Sequence, residues 1–291
     1  MLLLAASMYF YMYFKPIYIL LVLYVVLVNF FAGKYIYKFK DSPAKKVILT
    51  VSIVLNLAVL VFFKYFNFLN FNITAMLDML SFTNPIPALE IFLPLGISFY
   101  TFQAMAYTID ISRGIQEPEK NIGIFATFLM FYPQLVAGPI ERAGHLLGQF
   151  REKHVYDYPR LVSGLRLMLW GLFKKVAIAD RLGIFVKEIY VNMDQYSGLV
   201  LFIAAIFFAY QLYCDFSGYS DIAIGAARVM GFDLMLNFNR PYSARSVTDF
   251  WRRWHISLST WLYDYVYNPV SFNRRYWGKA GIVYALMALF L

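Results

Sequence analysis

Residues 198–229 read GLVLFIAAIFFAYQLYCDFSGYSDIAIGAARV. The run is apolar and uncharged from Gly198 to about Tyr213, then continues semi-polar to Val229 and carries Asp215, Ser217, Ser220 and Asp221. A helix needs about 20 mostly apolar residues to cross a hydrocarbon core, so this stretch is expected to span a membrane. Its second half poses a problem, because unpaired carboxylates at membrane depth are costly and turn toward a cavity or a partner. The segment holds no cation before Arg228. Asp215 and Asp221 share a helical face poorly unless Gly218 kinks the helix. The competing reading is a helix end at the water surface.

The rest of the chain is of the same kind. Its 291 residues are 61% hydrophobic, 20% aromatic and 15% charged, with a mean hydropathy of +0.58, outside the range of ordinary soluble domains. Further spans are expected at Pro16 to Ala32, Val47 to Phe63, Leu89 to Ile109 and Ile122 to Ala137. Leu161 to Ile178 is weaker, because Arg166, Lys174 and Lys175 interrupt it. It reads as an interfacial helix with snorkelling lysines, as the wall of a cavity, or as a slightly charged ordinary span. A β-barrel would show period-two alternation, which these runs lack. The fold class is therefore all-α: a polytopic transmembrane helical bundle, taken as one domain over 1–291 because no repeat or low-complexity linker divides it.

The net charge of +9 would suggest nucleic acid in a soluble protein. Here Lys and Arg sit mostly in short loops, where they set topology and meet the head groups of a lipid bilayer, so no nucleic-acid partner is expected. The loop from Lys34 to Lys46 carries five lysines against Asp41, which places it in the cytoplasm. The next loop, NFLNFNITAMLDMLSFTNPIP (67–87), has no Lys or Arg and fits the outside. Strict alternation would then put Glu141 to Arg160 outside, although Arg142, Arg151, Lys153 and Arg160 lie there. The repair is that the segment near Ile122 to Pro139 does not fully cross, with Pro133, Gly138 and Pro139 breaking its helix. Both ends read as cut: AGIVYALMALFL (280–291) begins an apolar helix and stops at about half the length of a crossing.

The lone Cys214 rules out an internal disulfide and reads as a small buried hydrophobe. His145, His154 and His255 show no i, i+4 pair, so no metal site is expected. No G-x-S-x-G elbow and no P-loop occur. The densest chemistry is in TDFWRRWHISLSTWLYDYVYNP (248–269). Ser246 with Asp249 resembles a capping box and Asn268-Pro269 supplies a stop, so a helix of about 20 residues is expected between them. On it Trp251, His255, Leu258, Ser259 and Leu262 would form one face, flanked by Arg252 and Arg253. By spacing alone, His255 reads equally as a structural histidine, and Trp beside Arg as an interfacial anchor.

Three ordered stretches carry a resemblance: FYPQLVAGPIER (131–142), YQLYCDFSGYSDIAIGAARVMGF (210–232) and LNFNRPYSARSVTDFWRRWHISLSTWLYDYVYNP (236–269). Together they resemble the membrane-bound O-acyltransferases, in the bacterial branch that modifies alginate and teichoic acid. The likeness runs over nearly the whole chain and is weakest before Leu89. It implies a bundle around a polar funnel or tunnel, in which an acyl group, expected to be acetyl, passes from a cytoplasmic thioester to a hydroxyl of an exported cell-envelope polysaccharide such as alginate. The donor would be acyl-CoA or an acyl-carrier thioester, with no bound cofactor. A sugar hydroxyl is a poor nucleophile at neutral pH, and a neutral imidazole can accept its proton as attack begins.

His255 matches the first of two histidines of that family, a supporting residue. The principal one lies later, beyond Leu291, so residues 1 to 291 alone are expected not to transfer acyl groups. Asp215 or Ser217 would orient the ring of His255. Arg252 and Arg253 would hold donor phosphates or the acidic face of a carrier, unless they are plain anchors. Trp251, Gln211 and Asp221 complete the expected substrate- or donor-binding set. The resemblance further implies a multi-pass protein of the bacterial inner membrane with periplasmic or extracellular acetyltransferase partners. The alternative is a transporter or acyl-group conduit whose partner does the chemistry. A purely structural scaffold is disfavoured by Asp215, Asp221 and His255.

Overall fold

The computed structural model describes residues 2–90, 92–136 and 138–271, and its regular structure there is helical with no strand. The chain is an all-α membrane bundle. The apolar run 280–291 lies outside the described residues. Among those described, Pro16–Lys38, Ala44–Met79 and Gly198–Val229 are long and apolar enough to cross a membrane. The chain divides into two compact units, Met1–Leu135 with Arg142–Leu147, and Val136–Glu141 with Gly148–Leu291.

In the first unit, α1 (Leu2–Phe14), α2 (Ile19–Lys38), α3 (Ala44–Met79), α4 (Ile97–Arg113) and α5 (Ile122–Met130) precede the short turns α6 (Tyr132–Leu135) and α7 (Ala143–Leu146). Helices α2, α3 and α4 pack on one another. Asn29 and Asn56 join α2 to α3 through reciprocal amide bonds of 2.9 and 3.0 Å. Both are fully buried, and interhelical hydrogen bonds of this kind hold membrane helices together where apolar burial gives no preference over lipid. Helix α4 is enclosed along most of its length, with Tyr107 against Phe125 of α5 at 4.5 Å between ring centroids.

Three expectations meet the structure here. Helix α3 continues to Met79, through much of the stretch read as an outer loop. No Gly or Pro interrupts it, and Asn67, Asn70 and Thr74 line one face that binds the following irregular segment. Asn67 both donates to Leu89 O (2.7 Å) and accepts from Leu89 N (3.0 Å), while Asn70 donates to Ile86 O. The span expected from Leu89 is therefore non-helical until Ile97. Gly96 sits at φ 67 and a Cβ there would collide with Leu135 O, so the helix starts only after it. Helix α5, capped by Asn121 at Gly123 N (2.8 Å), has nine residues. That is about 13 Å of rise, less than half of a hydrocarbon core, in keeping with a segment that does not fully cross. Pro133 denies it continuation, and the Phe128 carbonyl left at its end accepts from the amides of Gln103 (3.1 Å) and Gln134 (2.9 Å).

In the second unit, α8 (Tyr158–Leu172) runs into a widened π turn (Phe173–Ala179), followed by α9 (Asp180–Val191) and α10 (Gly198–Val229). Helix α10 is continuous over 32 residues, so Gly218 does not kink it. It ends in a Schellman motif, with Phe232 N bonded to Ala227 O, Gly231 N bonded to Arg228 O, and Gly231 at φ 98. Gly218 instead brings two backbones together. A methyl at Gly171 would stand 2.6 Å from Gly218 O, and one at Gly225 2.7 Å from Gly164 O. The pairs 164/225 and 171/218 thus set α8 and α10 antiparallel at backbone contact, the small-residue packing of membrane helices.

Gly171→Leu or Gly218→Leu should force these helices apart. We expect a loss of about 1–3 kcal/mol, read as a lowered thermal unfolding midpoint in detergent. Gly198→Ala, where an added Cβ meets nothing within 4 Å, should change stability by no more than about 0.5 kcal/mol.

Candidate functional site

The close approach of α8 and α10 supplies the cations that the carboxylates of α10 lacked in sequence. Lys174 Nζ lies 2.6 Å from Asp221 Oδ2 and donates to Ser217 Oγ at 2.9 Å. Lys175 Nζ lies 2.6 Å from Asp215 Oδ1 and 2.7 Å from Asp180 Oδ1. Both lysines are held by carboxylates. Ser217 and Asp221, an i, i+4 pair, share the face that meets Lys174. Asp215 lies on another, and the π turn that holds both lysines lets consecutive side chains serve both faces. The Lys174–Asp221 pair is the deeper one, its side chains 9% and 21% exposed against 25% and 42% for Lys175 and Asp215. Removing one member of such a pair strands a buried charge.

Residues 248–269 do not form one helix. The cap is as expected, with Ser246 Oγ accepting from Asp249 N (3.1 Å), but α11 (Val247–Trp251) stops after one turn. His255 has φ 43 and ψ 54, left-handed values, and α12 (Ile256–Leu262) starts after it. A second π turn (Tyr263–Tyr267) and α13 (Asn268–Ser271) follow. The break is imposed from outside by the irregular stretch 236–240, which turns at Arg240 with φ 46. Asn239 N donates to Arg253 O, and Ile256 N to Asn237 O, both at 2.9 Å. The face expected for Trp251, His255, Leu258, Ser259 and Leu262 is therefore not continuous.

The imidazole of His255 lies edge-on to Phe216 of α10 at 4.7 Å and parallel to Phe238 at 6.4 Å. Its Nε2 is buried and has no hydrogen-bond partner among the described residues. The orienting contact expected from Asp215 or Ser217 is not formed, because both are engaged by lysines and Phe216 holds the position between them. Trp251 is half-buried beside Phe250. Trp254 is the buried tryptophan of the site, within a group of Phe238, Phe250, Tyr213 and Tyr242. The side chain of Gln211 lies against Gly183 of α9. Arg253 Nε bonds Asp249 Oδ1 at 2.8 Å, which holds that carboxyl below its usual range. Arg252 is exposed, with no ion pair among the described residues. A recess of about 140 Å³, lined by His154, Asp157, Arg160, Val229 and Gly231, lies at the C-terminal end of α10 and includes neither His255 nor Asp215.

The sequence reading missed Lys174 and Lys175 as partners, and it missed Asn237, Trp254 and the two phenylalanines. One signal for the first was available, since two lysines in a weak span answer two aspartates in a strong one. For the 236–240 stretch, the alternation of Leu236, Asn237, Phe238 and Asn239 has the period of an extended chain.

A helical membrane bundle in which a long apolar helix carries paired carboxylates, beside a histidine held in a broken aromatic segment, defines a class of membrane-embedded protein with charged side chains paired between its helices. The chain matches the model of "MBOAT, membrane-bound O-acyltransferase family" over residues 121–290. It is 42% identical over 227 residues to "Probable alginate O-acetylase AlgI" of Azotobacter vinelandii, covering 78% of this chain and 45% of that protein. It is 39% identical over 276 residues to the protein of the same name in Pseudomonas aeruginosa, covering 94% and 52%. It is 34% identical over 297 residues to "Peptidoglycan O-acetyltransferase" of Helicobacter pylori, covering 92% and 55%. The chain belongs to the membrane-bound O-acyltransferase family and is a multi-pass membrane protein. It spans about half the length of the curated relatives it matches.

His255 lies outside the three helices that, among the described residues, are long and apolar enough to cross a membrane, and its burial among rings pushes the imidazole down from 6.5 to about 4. Between those values the unfolded chain binds the extra proton and the folded one does not, so stability falls as pH drops from 6.5 toward 4. His255→Gln should flatten that part of the stability–pH curve, by on the order of 3 kcal/mol at its acid end. Chemical unfolding at stepped pH checks this.

Proposed function

We propose that the protein is an O-acyltransferase of the bacterial cytoplasmic membrane, moving an acetyl group from a cytoplasmic thioester to a hydroxyl of an exported cell-envelope polysaccharide. Its family membership and the names of its relatives support this, and the observation that carries it is the buried, unpartnered Nε2 of His255. In the reaction the hydroxyl oxygen bonds to the thioester carbonyl carbon, the C–S bond breaks, and the hydroxyl proton leaves with the thiol. A neutral imidazole can accept a hydrogen bond from the attacking hydroxyl. With its pKa pushed down to about 4, it is a poorer proton acceptor than a base matched to neutral pH. His255 therefore orients the acceptor, and the bulk of proton removal falls to another group.

Arg253 is engaged by Asp249, so Arg252 is the guanidinium that meets donor phosphate. The lysine-rich stretch Lys34 to Lys46, the end of α2, the turn after it and the start of α3, faces the cytoplasm. Asp221 and Ser217 act through Lys174 to keep the α8–α10 wall intact beside the site, and periplasmic acetyltransferase partners take part in delivery to the polymer.

The test is transfer of labelled acetyl groups to polysaccharide by the whole protein in proteoliposomes. His255→Ala should lower kcat by about 10- to 100-fold, short of the upper end of the 10²–10⁴ lost with a general base. Arg252→Gln should raise KM for the donor and leave kcat near its original value. Failure of the whole protein, without partners, to pass label to any sugar hydroxyl or to water would instead make the chain an acyl conduit.

A further inference from the structure

We propose that Asn237 is the positioning residue of this site: its carbonyl and its side chain hold His255 in a left-handed backbone and so set the imidazole between Phe216 and Phe238. Asn237 is fully buried and every polar group of its side chain is used. Its Oδ1 accepts from Ser257 Oγ at 2.9 Å and from Ser257 N at 3.4 Å, and its Nδ2 donates to Ser220 Oγ at 3.1 Å. Its own carbonyl accepts from Ile256 N at 2.9 Å. Ile256 and Ser257 are the two residues after His255, so these bonds fix the chain where it leaves the histidine.

A residue with a Cβ at φ 43 is strained and persists only where its surroundings over-determine it. Those surroundings are supplied from α10. Phe216 and Ser220 are an i, i+4 pair on one face. Phe216 forms the wall against the imidazole, and Ser220 anchors the asparagine that sets the turn. Asn237 therefore fixes the register between that wall and the ring. His255, at the N-cap position of α12, makes no side-chain cap bond; the oxygen that accepts from the first turn, at Ser257 N, comes from Asn237 of a different segment.

The charged groups on the described elements around the ring are Asp215, Asp221 and Arg228 on α10, Arg240 at the end of the 236–240 stretch, Asp249 on α11, and Arg252 and Arg253 on the turn after it. Burial alone accounts for the lowered affinity of the imidazole for a proton, so that affinity reports how well the ring stays between its two phenyl neighbours. The inference rests on the proposed function only in giving His255 a role in transfer.

The experiment is an NMR titration of the labelled His255 imidazole in the whole protein, in detergent, with circular dichroism as a check on folding. The unaltered protein should titrate near pH 4. Asn237→Ala should raise the midpoint by about one pH unit or more, toward the value of a solvated imidazole. Ser257→Ala and Ser220→Ala, which each remove one bond, should give smaller rises and serve if Asn237→Ala does not fold. A midpoint unchanged in the folded variants, or one already near 6.5 in the unaltered protein, overturns the inference. A raised midpoint with transfer activity intact supports the positioning role and overturns the role of His255 in the proposed function.

Discussion

The backbone contact between α8 and α10 is the constraint on which the second unit depends. Four glycines, in the pairs 164/225 and 171/218, let main chain meet main chain, with carbonyl oxygens where side chains would otherwise stand. At a wider interaxial distance the lysines of the π turn would have to reach Asp215 and Asp221 across lipid or water. At this distance each lysine lies 2.6 Å from its aspartate. The ion pairs are not themselves a source of much stability, since desolvation offsets their attraction. They are what makes carboxylates tolerable on a helix of this apolarity, and the glycines make the ion pairs possible.

Helix α10 then works as a post with separate faces. Gly218 and Gly225 meet α8, Ser217 and Asp221 hold Lys174, and Phe216 with Ser220 holds the His255 turn. Such a division requires an unbroken helix, because a kink at Gly218 would rotate the faces below it relative to those above. Glycine here provides closeness and not flexibility. The deformation goes into α8 instead, where the π turn absorbs an extra residue and brings two successive lysines to bear. π turns recur at functional sites for this kind of reason, and the second one, Tyr263–Tyr267, follows the histidine turn on the same chain segment.

The all-helical class, the long apolar spans and the need for partners at Asp215 and Asp221 were legible, because hydrophobic length and buried charge are local properties of a sequence. The Ser246 cap was legible for the same reason, and so was the interruption near Pro133. What escaped was set by contacts distant in the chain. The break at His255 comes from Asn237 and Asn239, and the 248–269 stretch alone has a good helical period. The irregular segment before Ile97 survives because asparagines on α3 satisfy its backbone, a role that nothing in residues 89–96 announces. Trp251 was favoured over Trp254 only because a continuous helix would have put it on the histidine's face.

The environment of the imidazole limits what chemistry it can take on. A ring enclosed by Phe216 and Phe238 remains neutral through the physiological range, which leaves one of its two nitrogens as a hydrogen-bond acceptor. The same enclosure penalises the imidazolium that a full proton transfer would create, and among the described residues no carboxylate bonds the ring to offset that penalty: Asp215 and Asp221 are both committed to lysines. In a triad the acid stabilises the charged histidine as well as orienting it. Here orientation comes from two aromatic rings and a strained backbone, which fix direction without stabilising charge. An arrangement of that kind suits a group that aligns a hydroxyl better than one that takes its proton.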